Sequence, residues 1–113
     1  MSVNSLIIKT LSPFGYPVEP DLYTGTERRY FTFNYADERG RNFGDNEPGC
    51  IISYMQIHFF LPVSENYLKI KNQIREALFK AGFTYPSISM LLVTESKIRH
   101  IIFECQIAEE REE

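Results

Sequence analysis

The sequence predicts an α+β domain in the order α-β-β-α-β-β, with a mostly antiparallel sheet of about four strands and helices packed on one face. Three observations predict it. Residues 29–35, 50–61, 88–93 and 98–107 read as strands, three of them alternating side chains between two faces. Residues 3–11 and 64–81 place apolar side chains three and four apart, the mark of a helix with one buried stripe. The 113 residues, 43% hydrophobic and 14% aromatic, are enough for one packed core and too apolar for a disordered chain.

In chain order, Val3, Leu6, Ile7 and Leu11 define the first helix, with Ser2 or Asn4 as its cap and Pro13 as its stop. Phe14 to Pro20 is an extended connector, because Pro17 and Pro20 hold Tyr16 and Glu19 out of helical geometry. In the strand from Arg29 to Tyr35, Phe31, Phe33 and Tyr35 share one face. Ala36 to Gly49 reads as a long polar hairpin loop, with Arg39 and Arg41 against Asp37, Glu38, Asp45 and Glu47, a net charge of −2. From Cys50 to Leu61, Ile51, Met55, Ile57, Phe59 and Leu61 face one way, and Ile52, Tyr54, Gln56, His58 and Phe60 the other. Ser64 reads as the cap of the second helix, with Val63 and Leu68 as a hydrophobic staple. Its stripe is Tyr67, Ile70, Ile74, Ala77, Leu78 and Ala81, and Gly82 is placed for a left-handed end. Thr94 to Lys97 turns the chain into the last strand, where Ile101, Phe103, Cys105 and Ile107 share a face. Residues 1–107 thus form one domain, followed by an acidic, frayed tail at 108–113.

Composition excludes several function classes. No apolar run is long enough to cross a bilayer, and the start of the chain lacks a basic-then-apolar leader, so a protein of the cell interior is expected. A net charge of −3 disfavours non-specific binding to a phosphate backbone.

Cys50, His58, His100 and Cys105 are the only soft metal ligands. Cys50 and His58 lie about 26 Å apart along one strand at about 3.3 Å per residue, and His100 and Cys105 point to opposite faces, so neither pair shares a zinc sphere. A mixed site from different strands stays open. Two buried, reduced thiols are the simpler expectation. Nucleophile elbows, Walker loops and dinucleotide fingerprints are absent, so neither catalytic residues nor a cofactor are expected. Tyr30, Phe31 and Phe33 suggest a stacking platform for single-stranded nucleic acid, although the glycines and strand order of the RNA-recognition fold are missing. The second face of strand 50–61, with Ile52, Tyr54 and Phe60, is more apolar than solvent favours. It is either a subunit contact or a surface covered by the N-terminal helix and the Pro-rich connector.

Several strings resemble one family. They are Tyr30-Phe31-Thr32-Phe33-Asn34-Tyr35-Ala36-Asp37, Gln56-x-His58-x-Phe60, Lys71-x-Gln73-Ile74-Arg75-x-Ala77-Leu78, Ala81-Gly82-Phe83-Thr84-Tyr85-Pro86 and Arg99-His100-Ile101-Ile102-Phe103-Glu104-Cys105. Over about residues 11–107 the chain resembles small tail proteins of Gram-positive prophages and, through them, the tail-terminator (tail-completion) group of long-tailed phages. The resemblance implies a compact α/β fold and a non-enzymatic subunit without cofactor, and the Cys and His spacing adds that no metal is expected. It implies assembly with copies of itself into a ring, a hexamer on the tail, that caps the tube and supports head–tail joining. The implied partners are the major tail tube protein and head–tail connector proteins, and composition adds the expectation of no membrane and no nucleic acid. The implied location is the virion tail, with the host cytoplasm during assembly. A closed ring uses two different patches per subunit. Composition offers Asp37, Arg39, Arg41 and Phe43 on the loop, with Ile52, Tyr54 and Phe60 on the strand.

Overall fold

The computed structural model describes residues 2–41 and 49–110, without the side chain of Glu110. Phe43 and most of the segment between the second and third strands lie outside the described residues. The elements are α1 (Val3–Leu11), a 3-10 turn (Ser12–Phe14), β1 (Val18–Pro20), β2 (Tyr30–Arg41), β3 (Cys50–Pro62), α2 (Leu68–Lys80), β4 (Ser87–Val93) and β5 (Ile98–Glu110). The fold is α+β, but the order is α-β-β-β-α-β-β and the sheet is mixed, with five strands in the order β1-β2-β3-β5-β4. This corrects the expected four-strand antiparallel sheet and its element order.

The missed strand is β1, which pairs in parallel with β2, Val18 opposite Phe31. It is three residues long and ends on Pro20, so no alternation develops in the sequence. Its pairing is fixed from outside, by Phe31 N–H donating to Pro17 O at 2.8 Å and Asp21 N–H to Phe33 O at 2.9 Å.

The core forms on one side of the sheet. Phe31 and Phe33 from β2, Met55, Ile57, Phe59 and Leu61 from β3, and Ile101, Phe103 and Cys105 from β5 are buried with Val3, Ile7 and Leu11 of α1 and Ile74 and Leu78 of α2. Ser2 caps α1 by accepting from Ser5 N–H at 3.1 Å, and Gly15 at φ +85° closes the 3-10 turn after it.

The start of α2 differs from the expectation. Ser64 does not cap it; the helix begins at Leu68, whose N–H donates to Asn66 Oδ1 at 3.0 Å. Residues before it are held in a turn by Glu65 N–H donating to Pro62 O, and the Glu65 carboxylate takes both arms of the Arg29 guanidinium, one at 2.7 Å. Val63 and Leu68 are both exposed and form no staple. The other end follows the sequence: Gly82 adopts φ +114° directly after the last turn.

The strands outrun the helices. β2 continues to Arg41, pairing with Cys50, so residues 36–41 are strand and not loop. β5 continues to Glu110, also opposite Cys50, so residues 108–110 are paired rather than frayed. Thirteen-residue strands rise about 3.3 Å per residue, whereas α2, also thirteen residues, rises about 1.5 Å per residue. The far ends of β2, β3 and β5 therefore project as an arm, and the molecule measures 54 × 25 × 24 Å. Among the described residues no helix is long and apolar enough to cross a membrane.

Candidate assembly face

With both helices on one side, the opposite side of the sheet is open. Antiparallel register sets directly opposed residues in rows across it. In one row Tyr30 lies opposite Phe60, Phe60 opposite His100, and His100 opposite Leu91. The rings stack on one another: Tyr23 on Tyr30 with centroids 4.5 Å apart, Tyr30 on Phe60 at 4.6 Å, and Phe60 on His100 at 4.3 Å. Interplanar angles of 30°, 19° and 18° mean that the ring faces look at one another, so the sheet presents their edges outward. Tyr23 belongs to the connector before β2, which folds over this corner. A Cβ on Gly25 would run into the Tyr23 ring, so Tyr23 can lie in this position only because residue 25 has no side chain.

Beside it a hydrogen-bonded chain crosses three rows, from the Asn34–Gln56 pair through His58 to His100. Asn34 Nδ2 donates to Gln56 Oε1 at 3.2 Å, which aims Asn34 Oδ1 at His58 Nε2, 2.8 Å away. His58 Nδ1 then faces His100 Nε2 at 2.7 Å. With Asn34 assigned this orientation, His58 carries its proton on Nε2 and accepts from His100 Nε2–H, a pattern that two neutral imidazoles satisfy. Burial holds His58 below the usual histidine value, against the opposing pull of the Glu104 carboxylate. Burial, and then the neighbouring His58, push His100 down to about 4. Each ring disfavours a charge on the other.

The sequence left open a metal site drawn from different strands, and the sheet does bring His58 and His100 together. Among the described residues, however, no group of three or more His, Cys, Asp or Glu could hold a metal ion. Cys105 points into the core, where burial raises its thiol to about 12. On the helix side, a cleft of about 310 Å³ has Arg29, Glu65 and Lys69 on its walls, and the first two are paired to each other.

The candidate contact residues divide into two groups. A bulge at Ala36 in β2 shifts the register between Tyr35 and Asp37. It switches the parity of the strand, so that Asp37, Arg39 and Arg41 lie on the open side with Tyr54 and Ile52. There Arg39 Nε donates to Asp37 Oδ2 at 2.8 Å, its guanidinium sits 5.4 Å from the Tyr54 ring centre, and Arg41 Nη2 donates to Tyr54 Oη at 3.2 Å. The Arg39 hydrogen bond holds the Asp37 carboxyl below its ordinary range. Phe60 stands apart, eight residues along β3, in the stacked row.

Sequence reasoning missed Tyr23, His58 and His100 as parts of this face. The alternation already put His58 and Phe60 on one face, and the same reading put His100 on the outer face of its strand, but strand order was needed to make them neighbours. For the stacking platform, Phe31 and Phe33 are 0% and 1% exposed, so two of its three rings are core. Neither the known protein-family models nor the curated proteins give a match to this chain.

Proposed function

We propose that this chain is a structural, non-enzymatic subunit of a phage or prophage tail, similar to tail terminators. In this reading it assembles with copies of itself into a ring at the end of the tail tube and supports joining to the head. The observation that carries the assembly part is the open sheet side. It bears a row of aromatic rings next to two neutral histidines, on a face that neither helix covers. Such a surface gains from being removed from water, and among the described residues it offers no arrangement of nucleophile, base and oxyanion donors. The phage context rests on the sequence strings quoted above.

The arm supports the same reading. Asp37, Arg39, Arg41, Ile52 and Tyr54 sit on a three-stranded projection, where charged and aromatic groups can reach a neighbouring subunit or the tube. The stacked row argues against single-stranded nucleic acid as partner. Base stacking needs free ring faces, and here Tyr30 and Phe60 spend theirs on their neighbours.

Mixing the protein with purified tail tubes tests this, read by light scattering and negative-stain imaging. Rings at tube ends are expected, and Phe60→Ser together with Tyr54→Ser should abolish them while circular dichroism stays unchanged. A strict monomer in the presence of tubes overturns the reading. So does binding to a single-stranded oligonucleotide at low salt without any binding to tubes.

A further inference from the structure

We infer that β4 is a second, two-fold contact, through which two copies of this chain join edge to edge in antiparallel register. It does not depend on the tail reading. A sheet edge normally carries charges, proline or a bulge that deters pairing. β4 reads Ser-Ile-Ser-Met-Leu-Leu-Val and has none of these. Met90, Leu91, Leu92 and Val93 are 39%, 56%, 55% and 42% exposed, so both faces of the strand lie open to solvent.

The other edge is closed. Pro17 O and Asp21 N–H are turned toward β2, so Val18 and Pro20 present the outward backbone of β1, and Pro20 has no N–H. Sheet extension from β4 of one copy to β1 of the next is thereby blocked. What remains is β4 against β4.

The strand fits itself. With Met90 opposite Met90 of the second copy, Ile88 faces Leu92, Ser89 faces Leu91 and Ser87 faces Val93. Paired residues are all even or all odd, so the open faces of the two sheets stay on one side. On the helix side the register stacks large apolar groups in three successive pairs. On the open side each small serine meets a branched residue, and Leu91 carries the row of rings up to the joint. No charge lies between 87 and 93, so the pairing sets no like charges opposite one another. The edge is about 23 Å long at about 3.3 Å per residue and about 10 Å deep, so it covers roughly 230 Å², well under the roughly 800 Å² per partner of a standard interface. The contact is accordingly weak and concentration-dependent.

Sedimentation equilibrium should show a mass rising from 13.2 kDa toward twice that with concentration. Met90→Lys, which sets two ammonium groups directly opposite, should remove this rise. Oxidised glutathione should cross-link Met90→Cys to its copy, because opposed Cα atoms lie about 4.5–5.5 Å apart, within disulfide reach. Leu92→Cys, whose copy lies about 13 Å away in this register, should not cross-link. A mass of 13.2 kDa at all concentrations overturns the inference. An oligomer that Met90→Lys leaves intact, or equal cross-linking at 90 and 92, also does so while leaving the ring reading standing. Edge dimers that never bind tail tubes do the reverse.

Discussion

The paired histidines make stability fall with acidity in a defined window. An unfolded histidine titrates near 6.5, whereas His100 in the fold is held at about 4. Between those values the unfolded chain binds the proton more tightly, so protons favour unfolding. The stabilisation is therefore complete above pH 6.5, declines as pH falls toward 4 and is flat below. A difference of about 2.5 units at about 1.36 kcal/mol each amounts to about 3.4 kcal/mol. His100 is only half-buried, and solvent screening reduces this to about 1–2 kcal/mol. His58, shifted the same way, adds to the slope. The groups facing the pair are Asn34 and Thr32 from β2, Gln56 and Phe60 from β3, Ser89 and Leu91 from β4, and Glu104 from β5, the one carboxylate among them.

The perturbation is His100→Gln, whose amide N–H still donates to His58 Nδ1 but does not titrate. Thermal melts of both proteins at pH 7, 5.5 and 4 read the effect as a difference, which cancels the general acid response of the carboxylates. At about 4 °C per kcal/mol, the native chain should lose about 4–8 °C more than the variant between pH 7 and 4. Following the His100 ring protons by NMR should give a midpoint near 4. Parallel melting curves across that range, or a midpoint at 6–7, would refute the argument that burial, reinforced by the neighbouring His58 ring, keeps His100 uncharged.

Phe103→Ala removes a fully buried ring from the middle of the core and should lower stability by about 3–5 kcal/mol in urea unfolding. Gly82→Ala forces a side chain into φ +114°, where its Cβ would meet Ile107 Cδ1 at an ordinary contact distance of 3.8 Å, so about 1–2 kcal/mol of backbone strain and no packing clash is the expected loss. The Cys105 thiol, raised to about 12, should stay unlabelled by a thiol reagent at pH 8 until denaturant is added, as mass spectrometry after proteolysis would show. Gly25→Ala should displace Tyr23 from Tyr30, increasing tyrosine exposure in solvent-perturbation spectra with little change in unfolding free energy.

Local chemistry determined much of this molecule. The period-two alternation of 50–61 and 98–107 already separates Met55, Ile57, Phe59, Ile101 and Phe103 from His58, Phe60 and His100, because a pleated strand turns successive side chains to opposite faces. The Ser2 cap, the stripe through Ile74 and Leu78, and the left-handed Gly82 likewise depend on neighbours within a turn. What tertiary structure alone decided are relations between distant segments. β1 is a strand only because β2 lies beside it. Glu65 is kept out of α2 by Arg29, thirty-six residues earlier. The bulge at Ala36 reverses the faces of Asp37, Arg39 and Arg41, and no residue type there announces it. The row of Tyr23, Tyr30, Phe60 and His100 exists only in the strand order β2-β3-β5, since stacking requires rings a few ångströms apart and sequence spacing carries no such distance between strands.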